Sequence, residues 1–209
     1  KPKKLTFNDP SYSLYLGANP EYKSTKLYIG YSSLRVPDSI YSVNLASGRK
    51  MLLKQAEVKG KFSKNDYKVE RLNLRGRDRT LVPVSLVYRK DKFQKGQNPL
   101  FIYGYGSYGH SIDASFSSTR LSLLDRGFVF AIVHVRGGQE LGRFWYEEGK
   151  MLKKKNTFYD FIDSTKEMLS KGYGSPKKVF AGGGSAGGLL MGAIVNMEPE
   201  LYQGIISNV

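Results

Sequence analysis

Cysteine is absent from this 209-residue chain. No disulfide, cysteine-based zinc site or thiol nucleophile can exist in it, and a reducing compartment is compatible with that usage. Long apolar runs are also missing. With a mean hydropathy of −0.40, no membrane span is expected. Lys1-Pro2-Lys3-Lys4 carry no apolar core of the signal-peptide kind, and with no initiator methionine that start need not be the native one. Acidic side chains are scarce: 18 Asp and Glu stand against 33 Lys and Arg, a net charge of +15. Nearly all of the surplus falls within residues 1–97, scattered among strand-like segments and turns such as Lys59-Gly60-Lys61. A nucleic-acid module gathers its cations beside aromatic or helical readers, so no nucleic-acid partner is expected. Lys153-Lys154-Lys155 reads as a solvated approach to a helix.

The apolar fraction of 40% is enough for a core, and the length suits one domain or one and a fraction. Two rhythms divide the chain. Up to about residue 95 it reads as short β segments, 12–16, 26–31, 39–43 and 51–53, broken by turn residues at Asn19-Pro20, Pro37-Asp38 and Ser47-Gly48. This is the pattern of one four-stranded propeller blade or a comparable antiparallel unit. Two longer strands are expected around Gly76-Arg77-Asp78-Arg79. From Asn98 the rhythm becomes strand, loop, helix, strand. Apolar strands are read at 100–103, 128–133, 179–181 and 204–207, and helices at 116–125, at 157–169 and after residue 188. Continuous apolar strands alternating with helices predict a parallel sheet covered on both faces. The resulting expectation is an α/β fold, the first half of a doubly wound hydrolase-type sheet after a β segment, with the division at 1–62 and 63–209.

The run Gly182-Gly183-Gly184-Ser185-Ala186-Gly187-Gly188 lies between an expected strand and an expected helix. It fits a nucleophile elbow, G-x-S-x-G, on Gly183, Ser185 and Gly187. Glycines flank the serine because the backbone is strained and helix and strand pack closely there. A phosphate-binding glycine turn is the competing reading, but the Gly-Lys-Ser/Thr of a Walker loop is absent. A serine hydroxyl needs a base, and in this class Asp/Glu and then His follow the serine in the chain. Both histidines, His110 and His134, precede Ser185, and only Glu198 and Glu200 follow it as carboxylates. No triad in that order can be completed within 1–209. His134 reads as a histidine satisfied by local hydrogen bonds, and His110 as a partly exposed loop residue. A second element, Tyr103-Gly104-Tyr105-Gly106-Ser107-Tyr108-Gly109, follows an expected strand. Such an early loop supplies one oxyanion donor, and the N–H of Ala186, the residue after the serine, supplies the other.

These two stretches enclose a third, Val135-Arg136-Gly137-Gly138-Gln139-Glu140-Leu141-Gly142 with Trp145. In this order and spacing the three resemble the prolyl oligopeptidase family of serine peptidases. Ile112-Asp113, Arg120–Gly127 and the Ser-Ala form of the elbow are most similar to its oligopeptidase B branch. The resemblance implies a cytosolic endopeptidase of short peptides (a periplasmic one is the alternative), cutting after Lys or Arg beneath a propeller lid, without metal or cofactor. It implies Ser185 as the acylated nucleophile, the Tyr105 hydroxyl and the Ala186 N–H as oxyanion donors, and Tyr108 near the substrate. It further implies that the catalytic Asp and His and the acids that hold a basic side chain lie beyond Val209, so that this segment alone is inactive. Its partner is then the remainder of the same protein. An esterase or acylaminoacyl-type hydrolase and a non-catalytic binding remnant stay open as alternatives.

Overall fold

The computed structural model describes residues 4–209. Strands β1 (Tyr12–Leu16), β2 (Lys26–Ser33), β3 (Ser39–Asn44) and β4 (Lys50–Gln55) form an antiparallel four-stranded meander. Its connections are built by side chains that imitate backbone. The Asn19 amide donates to the Gly17 and Tyr28 carbonyls while its oxygen accepts from the Tyr28 N–H. The Asn44 oxygen accepts from Ala46 and Ser47 in an Asx turn that leads to Gly48 at φ 73°. An aromatic cluster packs one side of this sheet, with Phe7 stacked on Tyr31 at 4.2 Å between ring centroids.

The second sheet has six strands: β5 (Tyr67–Arg75), β6 (Leu81–Arg89), β7 (Leu100–Tyr103), β8 (Val129–Val133), β9 (Val179–Gly184) and β10 (Gly204–Asn208). Their spatial order is β10-β9-β7-β8-β6-β5. The four strands from β10 to β8 are parallel, and the β5–β6 hairpin adds antiparallel to β8. Helices α1 (Ser118–Leu124), α2 (Arg143–Glu147), α3 (Lys155–Ser170) and α4 (Ala186–Met197) complete the fold. The sheet is thus mixed rather than wholly parallel.

Alternation along the strands serves two cores. Val129, Ala131 and Val133 face the side covered by α3 and α4, with Phe161, Ile162, Leu190 and Ile194. Phe130 and Ile132 face the other side, with Leu124 of α1, Ala114 and Tyr67. α3 buries Phe161, Thr165 and Met168, and α4 buries Gly187, Leu190, Met191 and Ile194. That spacing is the 3.6-residue period of one helix face. Leu34, from the β2–β3 connection, joins the second core, and Ser11 Oγ lies 2.5 Å from Ser85 Oγ. The segments that flank the first sheet therefore pack directly on the second. Helix α2 has no forerunner in the sequence pattern, because five residues are too few to show a period.

Candidate active site

β9 runs to Gly184 and α4 begins at Ala186, so Ser185 alone makes the turn. Its backbone sits at φ 54°, ψ −119°, a region that costs an L-residue energy unless its surroundings impose it. They do so here. The Ser185 N–H donates to the Asn208 carbonyl at the end of β10 (3.0 Å), and its carbonyl accepts from the Gly188 N–H (2.8 Å). A Cβ at Gly183 would stand 2.4 Å from the Gly187 carbonyl oxygen, and one at Gly187 would stand 2.8 Å from that of Gly104. Both glycines are needed for close approach of main chain to main chain. The Ser185 side chain is exposed.

β7 lies beside β9, which brings its C-terminal loop to the elbow. The Gly104 N–H donates to the Gly182 carbonyl at 3.3 Å. Next in the chain, half-buried Tyr105 packs against the first turn of α4, with its Cα and Cδ2 3.6 Å from where a Gly187 Cβ would be. The structure thus brings Ser185, Ala186 and Tyr105 together. Tyr108 sits at φ 58° and is 80% exposed at the rim of a cavity of about 190 Å³, shared with Tyr146, Lys150, Met151 and Lys154. Exposed His110 meets the Tyr105 ring edge-on at 5.4 Å.

The loop bearing Tyr105 is clamped from below. Gly137, at φ 101°, lies so close that a Cβ there would come within 2.0 Å of the Gly106 carbonyl oxygen, and the Gly137 carbonyl accepts from the Gly109 N–H at 2.9 Å. Lys154 Nζ donates to the Gly106 carbonyl and to Ser107 Oγ, each at 2.6 Å. Burial pushes the Lys154 ammonium down to about 8. This corrects the reading of Lys153-Lys154-Lys155 as uniformly solvated: Lys153 and Lys155 are exposed, whereas Lys154 turns inward. Arg136, buried, grips Asp160 of α3 through its backbone N–H (2.9 Å), Nε (2.9 Å) and Nη2 (2.5 Å), and also reaches Asp78 on the β5–β6 turn at 2.7 Å. The stretch 135–142 thus braces the floor of the site, a role its sequence does not announce.

A serine–histidine–carboxylate constellation does exist, away from Ser185. Ser85 Oγ lies 2.8 Å from His134 Nε2, and His134 Nδ1 lies 3.4 Å from Glu140 Oε1. A carboxylate only accepts, so Nδ1 carries the ring proton and Nε2 accepts from Ser85. Arg71 Nη1 donates to the same Ser85 oxygen at 2.7 Å. Ser85 is 0% and His134 3% exposed, so no substrate reaches this trio, and it is a structural network. It matches the reading of His134 as a satisfied histidine. Burial holds the His134 pKa below its ordinary 6.5. The folded protein keeps the ring neutral while the unfolded chain gains a proton as pH falls below 6.5. Stability is therefore full above that value and declines beneath it, by up to about 1.4 kcal/mol per pH unit. Melting temperatures between pH 5 and 7 should show this decline, and His134→Gln should remove most of the slope. An unchanged slope in the variant would assign the acid sensitivity to other groups.

Among the described residues no helix is long and apolar enough to cross a membrane, and no group of three His, Cys, Asp or Glu is placed to hold a metal ion. A sheet with a parallel core and helices on both faces, carrying a strained serine on a strand–helix turn, is the architecture of the α/β-hydrolases. Sequence comparison narrows the class. A profile of the prolyl oligopeptidase family matches residues 114–209, and one of the N-terminal β-propeller domain of prolyl oligopeptidase matches residues 2–56. The chain belongs to the prolyl oligopeptidase family. It is 48% identical to dipeptidyl aminopeptidase BI of Pseudoxanthomonas mexicana over 96% of its length, and 41% identical to protease 2 of Moraxella lacunata over 98%. Oligopeptidase B from Leishmania major superposes with a TM-score of 0.88 at 41% identity over 96% of the chain. The Trypanosoma brucei enzyme with covalently bound antipain does so with 0.89 at 40% over 97%. The chain spans only 28% and 30% of the two sequence relatives, and 28% and 29% of the two solved structures.

Proposed function

We propose that the full-length protein carrying this segment is a serine endopeptidase of short peptides that cuts after Lys or Arg, with Ser185 as its nucleophile. The observation that carries the reading is the exposed Ser185 on its strained elbow, with Tyr105 packed on the adjoining turn of α4. A histidine supplied by the remainder of the protein takes the Ser185 Oγ proton as Oγ bonds to the scissile carbonyl carbon. The carbonyl oxygen becomes an oxyanion held by the Tyr105 hydroxyl and the Ala186 N–H. One such donor is typically worth about 3 kcal/mol. Collapse of the intermediate breaks the C–N bond and passes the proton to the leaving amine. Water then repeats the sequence on the acyl-enzyme. On this reading residues 1–62 close the propeller, residues 63–209 begin the hydrolase domain, and the enzyme is cytoplasmic.

Preference for a basic residue rests on the likeness to oligopeptidase B. The 48% identity to a protein named dipeptidyl aminopeptidase favours a second reading, release of dipeptides from a free N-terminus. A panel of arginyl, lysyl and prolyl amides and a simple ester, each with free and blocked N-terminus, separates the two in the full-length protein. Cleavage of blocked arginyl and lysyl amides supports the endopeptidase. Cleavage restricted to free N-termini supports the second reading, and turnover of the ester alone supports an esterase.

A further inference from the structure

Among the described residues, Lys154 is a half-buried ammonium with no carboxylate partner. The nearby acids are committed elsewhere: Glu147 pairs with Arg143 and Lys150, and Glu148 with Lys153. Desolvating a cation without a counter-charge is unfavourable, and the neighbours Lys153 and Lys155 remain exposed. Lys154 instead spends its donors on two neutral oxygens, the Gly106 carbonyl and the Ser107 hydroxyl, at 2.6 Å each. These belong to the two residues that follow Tyr105. Gly106 is at φ 71°, so the chain pivots immediately after Tyr105 and nothing in its own covalent geometry fixes where the tyrosine points. The Gly137 main chain stops the loop from sinking and its carbonyl holds the Gly109 N–H, four residues beyond Tyr105, but neither contact bonds residues 106 and 107, which follow the tyrosine directly.

We infer that Lys154 is a positioning residue, a tether from the start of α3 that holds the Tyr105 loop in register with Ser185. The inference rests on the reading of Tyr105 as an oxyanion donor. An oxyanion donor acts on the transition state more than on bound substrate, and displacement of such a group by about 1 Å costs up to roughly 100-fold in rate. Releasing the tether therefore lowers kcat and leaves KM nearly unchanged, and it does so only while the Tyr105 hydroxyl is present.

The test is a double-mutant cycle on the full-length protein with a peptide substrate: Lys154→Met, Tyr105→Phe and the pair, with Lys154→Arg as the conservative variant. Lys154→Met is expected to lower kcat between about 10- and 100-fold with KM shifted less than about twofold. In the Tyr105→Phe background the same change should cost less than about twofold. Lys154→Arg, which keeps charge and donors, should recover most of the loss; it carries the test alone if Lys154→Met fails to fold, and an Arg variant as slow as Tyr105→Phe would then overturn the tether. Tyr105→Phe slow with Lys154→Met unaffected overturns the tether alone. A Lys154→Met loss undiminished in the Tyr105→Phe background also overturns it. Full activity in Tyr105→Phe removes the oxyanion reading, and the tether falls with it.

Discussion

Ser185→Ala in the full-length protein should lower peptide hydrolysis by about 10⁶-fold and abolish labelling by a fluorophosphonate probe, while leaving the melting temperature within a few degrees. The hydroxyl is exposed and makes no helix-capping bond, nor any other that holds the fold among the described residues. The elbow geometry comes from the backbone bonds of residue 185 to Asn208 and Gly188 and from the two flanking glycines, none of which needs Oγ. The energy of the turn is thus invested in presenting one oxygen atom, and losing that atom removes chemistry rather than structure. A companion result is expected of residues 1–209 expressed alone: no labelling at Ser185, because neither His110 nor His134 is hydrogen-bonded to it and His134 is committed to Ser85 and Glu140. Intact-mass analysis decides both points. A Ser185 adduct on the isolated segment would show that a group within it serves as base. Residual turnover in Ser185→Ala within about 100-fold of the parent would assign the nucleophile to another residue.

The largest loss of stability is expected at Asp160. This carboxylate is 1% exposed and accepts from the backbone N–H, Nε and Nη2 of Arg136. Asp160→Ala leaves a buried guanidinium with only Asp78, itself half open to solvent, as counter-charge. Stranding one partner of a buried pair costs about 3–5 kcal/mol. The accompanying release of the Arg136 backbone should loosen the Gly137 contact beneath Gly106, so the activity of the full-length protein should fall with stability. Replacing both partners with apolar residues, Arg136→Met with Asp160→Leu, should cost less than the single change, because no charge is then stranded. Thermal unfolding of the three variants checks the order. A loss below about 1 kcal/mol in Asp160→Ala would mean that Asp78 alone satisfies Arg136.

Much of this architecture was legible because it is written in short-range pattern. Leu100–Tyr103, Val129–Val133 and Val179–Ala181 are unbroken apolar runs, and they are the central strands. The helix read at 157–169 is α3, Lys155–Ser170. The glycine–serine run fixed the elbow, since few other local structures need glycine on both sides of a serine. Long-range pairing was illegible. No local pattern says that Arg136 finds Asp160 and Asp78, that Ser85 finds His134, or that Lys154 turns inward while its neighbours do not. Strand order was equally hidden. Only the adjacency of β7 and β9 sets Tyr105 beside Ser185, and it follows from how the crossovers wind rather than from any residue in the loop. The histidine and acid of a triad are a different matter, since 1–209 holds no such residues after Ser185 other than Glu198 and Glu200.

The floor of the site has main chain resting on main chain, at Gly183 against Gly187, at Gly187 against Gly104 and at Gly137 against Gly106. Such contacts have no side chain to exchange, so drift cannot sample alternatives there: the first methyl group already collides. Diversification of what the site accepts must run through residues that project from the rim, such as Tyr108, whose replacements meet solvent instead of backbone. A saturation-mutagenesis map of this segment would accordingly show a few intolerant points directly beneath tolerant ones, and on the function proposed above a lineage could change its diet of substrates without touching the machinery that cuts them.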